Sequence, residues 1–284
     1  MTAAMSGAGI LRGALALMAA LAAPAAGGET LDQPRYPAFD GQWVRNMGAQ
    51  WDASRPRGPR QQAAPLTAEY QAIFEANSAE LFAGGELYNP QIKCLPGGMP
   101  RMMIAYEPIQ IIVTGDTTYI WVEQMGEFRR IYTDGRPWPA HAKPEFRGYS
   151  IGRWIDARGS GRYDLLMVET RNLKGPRTFD ADGMPLHADS ETIVKERIYL
   201  DRADPNLLHD DVTTFDHALT RPYTVARTYR REPNPVWPED ICDESNHHVN
   251  IGNESYFISD DGYLMPTRKD QPPPALRDFG GPKD

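Results

Sequence analysis

From residue 107 onward the chain keeps a two-residue rhythm. PIQIIVT (108–114) alternates apolar and polar positions, then turns at Gly115-Asp116, and TTYIWVEQ (117–124) alternates again. FRRIYT (128–133), YSIGRWID (149–156), YDLLMVET (163–170), SETIVKERIYL (190–200), LLHDDVTTF (207–215) and RPYTVARTYRR (221–231) continue it. Eight strand candidates result, most of them joined by short turns rich in Gly, Asp and Asn. No helical crossover separates them, which argues against a parallel βαβ architecture. A sheet this long would expose two edges, and closing it removes both. The expected fold is mainly β: a closed antiparallel up-and-down barrel of about eight or more strands, with one N-terminal helix and long loops. A β-sandwich and a long open sheet are the alternatives.

Upstream, FDGQWVRNM (39–47) reads as a short strand after an Asp-Gly turn, and SRPRGPRQQAAPL (54–66) as an exposed connector. TAEYQAIFEANSAELFAGG (67–85) reads as a helix capped by Thr67, with Tyr70, Ile73, Phe74 and Leu81 near one face and Gly84-Gly85 as the stop. Residues 27–106 then pack on a barrel core of 107–232. Residues 233–284 form a Pro-rich acidic segment whose end, DQPPPALRDFGGPKD, reads as a surface arm.

The first residues add a compartment. Arg12 precedes an apolar run from Gly13 to Ala23, and Ala23-Pro24-Ala25 resembles a cleavage site. This layout predicts a signal peptide over 1–26 and a periplasmic or secreted protein. No later run approaches the length of a membrane helix. The formal charge is −8, and −9 once Arg12 is removed, which disfavours nucleic acid as a partner. The only two cysteines, Cys94 and Cys242, would meet an oxidising space and are expected to form a disulfide.

Chemistry is harder to place. Alternation puts Tyr119, Trp121 and Glu123 on one face of their strand, and Phe128, Arg130 and Tyr132 on one face of theirs. Val194, Glu196 and Ile198 share a face, as do Tyr223, Val225, Arg227 and Tyr229. Charge therefore occurs on both faces, and two readings follow. Either the charges are solvated on the outside, or they line a cavity in partnered form. RRIYTDGRPWP (129–139) ends a strand in a tight Asp-Gly turn, with Tyr132, Asp134, Arg136 and Trp138 where a barrel mouth would lie. His187 suits proton transfer near neutrality. Tyr149 suits hydrogen bonding to developing charge. Of Arg153 and Trp154, which face opposite ways, one would line a cavity. His247-His248 with Asp243 and Glu244 matches no zinc spacing. Gly159-Ser160-Gly161 is not a nucleophile elbow, and no nucleotide fingerprint occurs.

The order CLPGGMPRMM (94–103), RRIYTDGRPWP (129–139), GYSIGRW (148–154), DADGMPLHADSETIVKERIYL (180–200), LTRPYTV (219–225) and CDESN (242–246) resembles an uncharacterised family of secreted bacterial proteins. That family has a predicted lipocalin-like, calycin-type β-barrel. Gly41 to Trp43 is similar to the first-strand signature of such barrels. The resemblance places histidines where this chain has Trp138 and Tyr149, and retains one at His187. A family metal site built on those histidines would be largely missing, so no metal or cofactor is expected. The two aromatic replacements would suit a flat ligand.

The expected function is therefore a β-barrel enclosing a small apolar or aromatic molecule, held by Arg130, Tyr132, Arg136, Trp138, Arg153, Trp154 and Trp121. Cofactor-free elimination or isomerisation (a lyase or isomerase) would use His187, Tyr149, Asp134 and Glu196. A non-catalytic carrier and an envelope interaction protein with a filled barrel are the alternatives.

Overall fold

A computed structural model describes residues 35–46, 52, 55–56, 64–86, 88–245, 247–251 and 254–274. The expected leader (1–26), most of the connector 54–66 and residues 275–284 lie outside the described residues. Each strand candidate forms a strand. They are β1 (Gln42–Arg45), β2 (Ile109–Val113), β3 (Thr117–Val122), β4 (Glu127–Tyr132), β5 (Tyr149–Ile155), β6 (Leu165–Arg171), β7 (Ile193–Leu200), β8 (Leu207–Phe215) and β9 (Tyr223–Arg231).

These nine strands close into a barrel in sequence order, with β1 bridging β2 and β9. The expectation of an all-antiparallel ring needs correction. β4 and β5 pair parallel, through Ile131↔Ser150 and Tyr132↔Ile151. Parity is the reason: each antiparallel contact reverses direction, and an odd ring cannot return to its start on reversals alone. A parallel contact needs a connection of about a dozen residues or more, and residues 133–148 supply it.

The pleat decides which residues face in. Ile120 and Val122 of β3, Ile131 of β4, Leu166 and Val168 of β6, Val194 and Ile198 of β7, and Val212 of β8 are buried together with Trp43. The segment 99–105 closes one end. Met102, Met103 and Ile104 are buried there, and the Met103 carbonyl accepts the hydroxyl of Tyr229 at 2.5 Å.

Charged side chains also occupy the interior. Arg129 of β4 reaches Glu196 of β7 through Nη1–Oε1 at 2.8 Å and Nη2–Oε2 at 2.5 Å, and both side chains are about 1% exposed or less. Arg129 also donates from Nε to Ser150 Oγ at 3.0 Å and from Nη2 to Thr170 Oγ1 at 2.7 Å. A guanidinium fork met by a carboxylate and two hydroxyls is the arrangement that makes a buried charge tolerable. Asp210 and Arg227, paired across β8 and β9, lie in the same interior. Burial first, and Glu196 nearby, push the Asp210 carboxyl well above the usual range, which favours its protonated form. Trp43, Arg129, Arg227 and Tyr229 are the bulkiest polar and aromatic side chains buried in this interior.

Helix α1 (Ala68–Phe82) starts at Thr67, whose hydroxyl accepts the Tyr70 N–H at 3.3 Å. Of its apolar positions Phe74 is buried, while Ile73 and Leu81 stay exposed. Its first turn is stapled to the β8–β9 turn by Thr67 N–H to the Ala218 carbonyl at 2.8 Å. Within the Pro-rich segment after 233 lie a short helix α2 (Cys242–Ser245) and a three-stranded sheet of β10 (His248–Ile251), β11 (Glu254–Ile258) and β12 (Leu264–Pro266), while most of the expected arm lies outside the described residues. Cys94 and Cys242 form the expected disulfide, with a Cα–Cα distance of 5.6 Å. A loop this long gives a chain-entropy stabilisation of at most about 5 kcal/mol.

Two expectations follow from the interior. Glu196→Ala leaves Arg129 buried without its carboxylate and should cost about 3–5 kcal/mol in urea unfolding, whereas Arg129→Met/Glu196→Leu should recover most of that. A double variant no more stable than the single one would count against the pair as the origin of the cost. The second concerns Asp180, which is fully buried on the β6–β7 connection. Burial pushes its carboxyl up to about 6, against hydrogen bonds from the Met184 and Asp182 N–H groups. Its folded pKa exceeds the unfolded one, so its contribution is present below about pH 4 and lost as pH rises through about 6. Relative to Asp180→Asn, the wild type should lose about 2 kcal/mol of unfolding free energy between pH 4 and pH 7.

Candidate functional site

Residues 129–139 now separate by parity. Arg129 and Ile131 face the interior, whereas Arg130 and Tyr132 face out. Thr133-Asp134-Gly135 forms the tight turn: Gly135 has φ +79°, and Asp134 Oδ1 accepts the Arg136 N–H at 3.1 Å. From this turn the chain runs as a strap over the outside of the barrel and re-enters at β5.

The parallel pairing of β4 with β5 covers only two residue pairs. Ahead of it β4 has no ladder partner on that side, so the Phe128 carbonyl needs another donor. Arg147 of the strap provides it, from Nη1 at 2.7 Å. The strap is pinned in turn by Met99 N–H to the Phe146 carbonyl at 3.0 Å. Gly98 allows this approach: its φ is +59°, and a Cβ there would overlap the Phe146 carbonyl oxygen. Glu127 holds the same Gly97-Gly98 backbone with its carboxylate, at 2.5 and 3.2 Å.

Between the splayed strands and the strap lies a cleft of about 370 Å3. Phe128, Arg130 and Tyr132 line one side, Gly148 and Tyr149 the other, and Lys143, Glu145 and Arg147 the strap side. Arg129 and Ser150 form its floor, so the cleft rests directly on the interior ion pair. The outer face around it is an aromatic and cationic platform. Trp121 stacks on Phe128 at 6.1 Å and 14°. Arg130 and Arg147 lie over the Phe128 ring at 4.6 and 4.9 Å. Arg136 lies 3.8 Å over Tyr132, Tyr132 packs on Tyr149 at 5.0 Å, Trp138 packs on Tyr149 at 6.1 Å, and Arg171 lies 4.5 Å over Trp138.

Some of these charges are already committed. Asp134 and Arg136 form a two-pronged ion pair, with Nη2–Oδ2 at 2.7 Å. The Arg136 side chain holds the Asp134 carboxyl below the usual carboxylate range. Asp134 first, and then the Tyr149 hydroxyl, hold the Arg136 guanidinium in its charged form. Among the described residues, Arg130 and Lys143 pair with no carboxylate and are exposed. Stacked rings beside unpaired cations suit a ligand with a flat face and a negative edge.

The residues expected from sequence thus fall into three places. Arg130, Tyr132, Asp134, Arg136, Trp138 and Tyr149 gather at the cleft or its rim, and Trp121 extends the platform. Glu196 is inside the barrel, as is Trp154, which packs with Tyr36 and Phe39 in the core, while Arg153 points to solvent. His187 lies on the β6–β7 connection with Tyr70 and His217 as ring neighbours. The four proposed acid–base groups are therefore divided among the cleft, the interior and this connection. Sequence reasoning missed Phe128, Lys143 and Arg147 as cleft residues. Phe128 was legible through its alternation with Arg130 and Tyr132, but Lys143 and Arg147 sit in an aperiodic loop.

A wider groove of about 800 Å3 runs between the β5–β6 and β7–β8 turns. Its Arg158 is paired with Asp164 at 2.6 Å, its Arg197 with Asp211 at 3.7 Å, and its Asp201 with His209 at 3.1 Å. Arg162 and Arg202, which also line it, are exposed and pair with no carboxylate among the described residues. No protein-family profile matches the chain, and no curated protein sequence matches it.

Proposed function

We propose that this protein binds a small planar anion, of the aromatic carboxylate class, in the cleft at the β4–β5 seam. The observation that carries this reading is the convergence of Arg130, Lys143 and Arg147 with Phe128, Tyr132 and Tyr149. It occurs on a chain whose formal charge is −8, so the cationic cleft runs against the overall balance. The ring faces would hold the flat body and the cations the carboxylate. Ligand binding at the wall, rather than on the axis, is consistent with an interior filled by Arg129, Arg227, Tyr229 and Trp43.

The reading is of a carrier or sensor, not an enzyme. Its cleft holds Tyr149 and Glu145, and Asp134 at the rim is committed to Arg136, while His187 and Glu196 lie elsewhere, so the expected acid–base set is not assembled there. The setting we propose is the periplasm or the exterior. The Cys94–Cys242 disulfide and the leader-like pattern of 1–26 support it. Within the described residues no helix is long and apolar enough to cross a membrane. A filled barrel acting only through protein contacts shares the same interior, but gives no reason for unpaired cations beside stacked rings.

The test is a tryptophan-fluorescence titration with 4-hydroxybenzoate, using 4-hydroxybenzyl alcohol as its neutral counterpart. Trp121 and Trp138 adjoin the site and would report occupancy. The anion should bind at least about tenfold more tightly than the alcohol, and Arg130→Ala and Arg147→Gln should each weaken it by about tenfold or more. Added salt should weaken it further. Equal affinity for acid and alcohol, or binding indifferent to both substitutions, would remove the proposal.

A further inference from the structure

At the opposite edge of the β6–β7 connection, three ligand atoms of a different kind converge. Nδ1 of His187 lies 2.9 Å from Oδ2 of Asp189, and Nδ1 of His217 lies 2.7 Å from the same oxygen. The three atoms fall within 4.8 Å of one another. The sequence places these residues on separate loops, 187–189 before β7 and 217 after β8. The β7–β8 hairpin brings the loops together, because Ile193 pairs with Phe215 at its base.

The backbone holding these side chains is anchored from below. Arg177, 2% exposed, donates from Nη2 to the carbonyls of His187 at 2.8 Å and Asp189 at 3.0 Å, and to Thr192 Oγ1 at 2.8 Å. The Asp216 carboxylate then ties the two loops. Oδ1 accepts the His187 N–H at 3.0 Å and the Ala218 N–H at 2.8 Å, and Oδ2 accepts the Thr192 hydroxyl at 2.5 Å. The ring of Tyr70, from α1, packs on His187 at 5.7 Å. Glu191 Oε2 lies 3.7 Å from Nε2 of His217, on the far side of that ring.

The Asp189 N–H donates to His187 Nδ1 at 3.1 Å, so an ion held by that nitrogen takes the place of this donor. Two imidazole nitrogens face the same carboxylate oxygen. Such a convergence is relieved by positive charge between the atoms, carried either by protons or by a metal ion. Two imidazoles and one carboxylate are ligands that zinc(II) and its first-row neighbours accept. His217 is exposed, and a cleft of about 240 Å3 opens beside it, lined by Glu191, Phe215 and Thr220 among others.

We infer that His187, Asp189 and His217 form a binding site for one divalent first-row transition ion, with zinc(II) as the representative, and with its remaining position open to solvent. This departs from the expectation of no metal. It is independent of the seam cleft, because it uses neither its cations nor its rings.

The test uses the untagged chain, stripped with chelator and titrated with cobalt(II) and zinc(II). Cobalt(II) should bind one equivalent and produce visible d–d absorption, and zinc(II) should displace it and raise the unfolding temperature. His217→Ala and Asp189→Asn should each weaken binding by more than about tenfold. His209→Ala, which alters another surface His–Asp pair, should leave it unchanged. Circular dichroism of His217→Ala checks that the fold survives, as expected for so exposed a residue. Absence of cobalt(II) absorption, or binding that survives both His217→Ala and Asp189→Asn, would show that the cluster is a set of His–Asp hydrogen bonds and would overturn the inference.

Discussion

A ring of nine strands must contain an odd number of parallel contacts, and this chain places its single one between β4 and β5. The other barrel neighbours pair as antiparallel ladders. At the seam, ladder bonding is confined to two residue pairs, and side chains replace what the backbone cannot supply. Arg147 satisfies the Phe128 carbonyl from outside, and Arg129 reaches Ser150 from inside. The cleft is the space left by that substitution. Its position, its strap and its cationic lining all follow from how a ring of odd order is closed.

The interior answers a related problem. A barrel of this size has room at its centre that small apolar side chains alone do not fill. This chain fills it with long polar side chains whose charges meet across the ring. Arg129 spans from β4 to β7, and Tyr229 reaches the Met103 carbonyl of the plug. Such a core gains specificity of packing at an electrostatic cost, since each buried charge requires a placed partner. The raised carboxyl of Asp210 is that cost expressed as proton affinity. The interior pair also stiffens the floor beneath the cleft, because Ser150 and Arg129 belong to both.

Much of the scaffold was legible in the sequence, because alternation and Gly/Asp turns mark each barrel strand locally. The face each strand presents was not. Arg129 and Arg130 are identical neighbours, and only the distant Glu196 decides which one is buried. Likewise Glu196 and Arg197 offer a charge to each side. The seam was hidden for a different reason. TDGRPWPAHAKPEFRG has no periodicity, so nothing local distinguishes a strap between parallel strands from a long hairpin loop. Strands β10 to β12 are short and lie among Pro and Asp residues, which masks their rhythm. His187 stood out alone in the sequence. Its partners Asp189 and His217 become neighbours only once the β7–β8 hairpin is drawn closed.

β1 is four residues long and is the keystone of the ring, holding β9 at three positions and β2 at two. It precedes every other barrel strand among the described residues, yet one of its two neighbours is the last of them to be made. A chain emerging from its amino terminus therefore carries β1 paired on its β2 edge alone until Tyr229 and Arg231 have followed. Closure is in this sense a terminal event of synthesis. A chain interrupted between β8 and Tyr229 holds β1 to β8 without the β9 ladder that closes the ring.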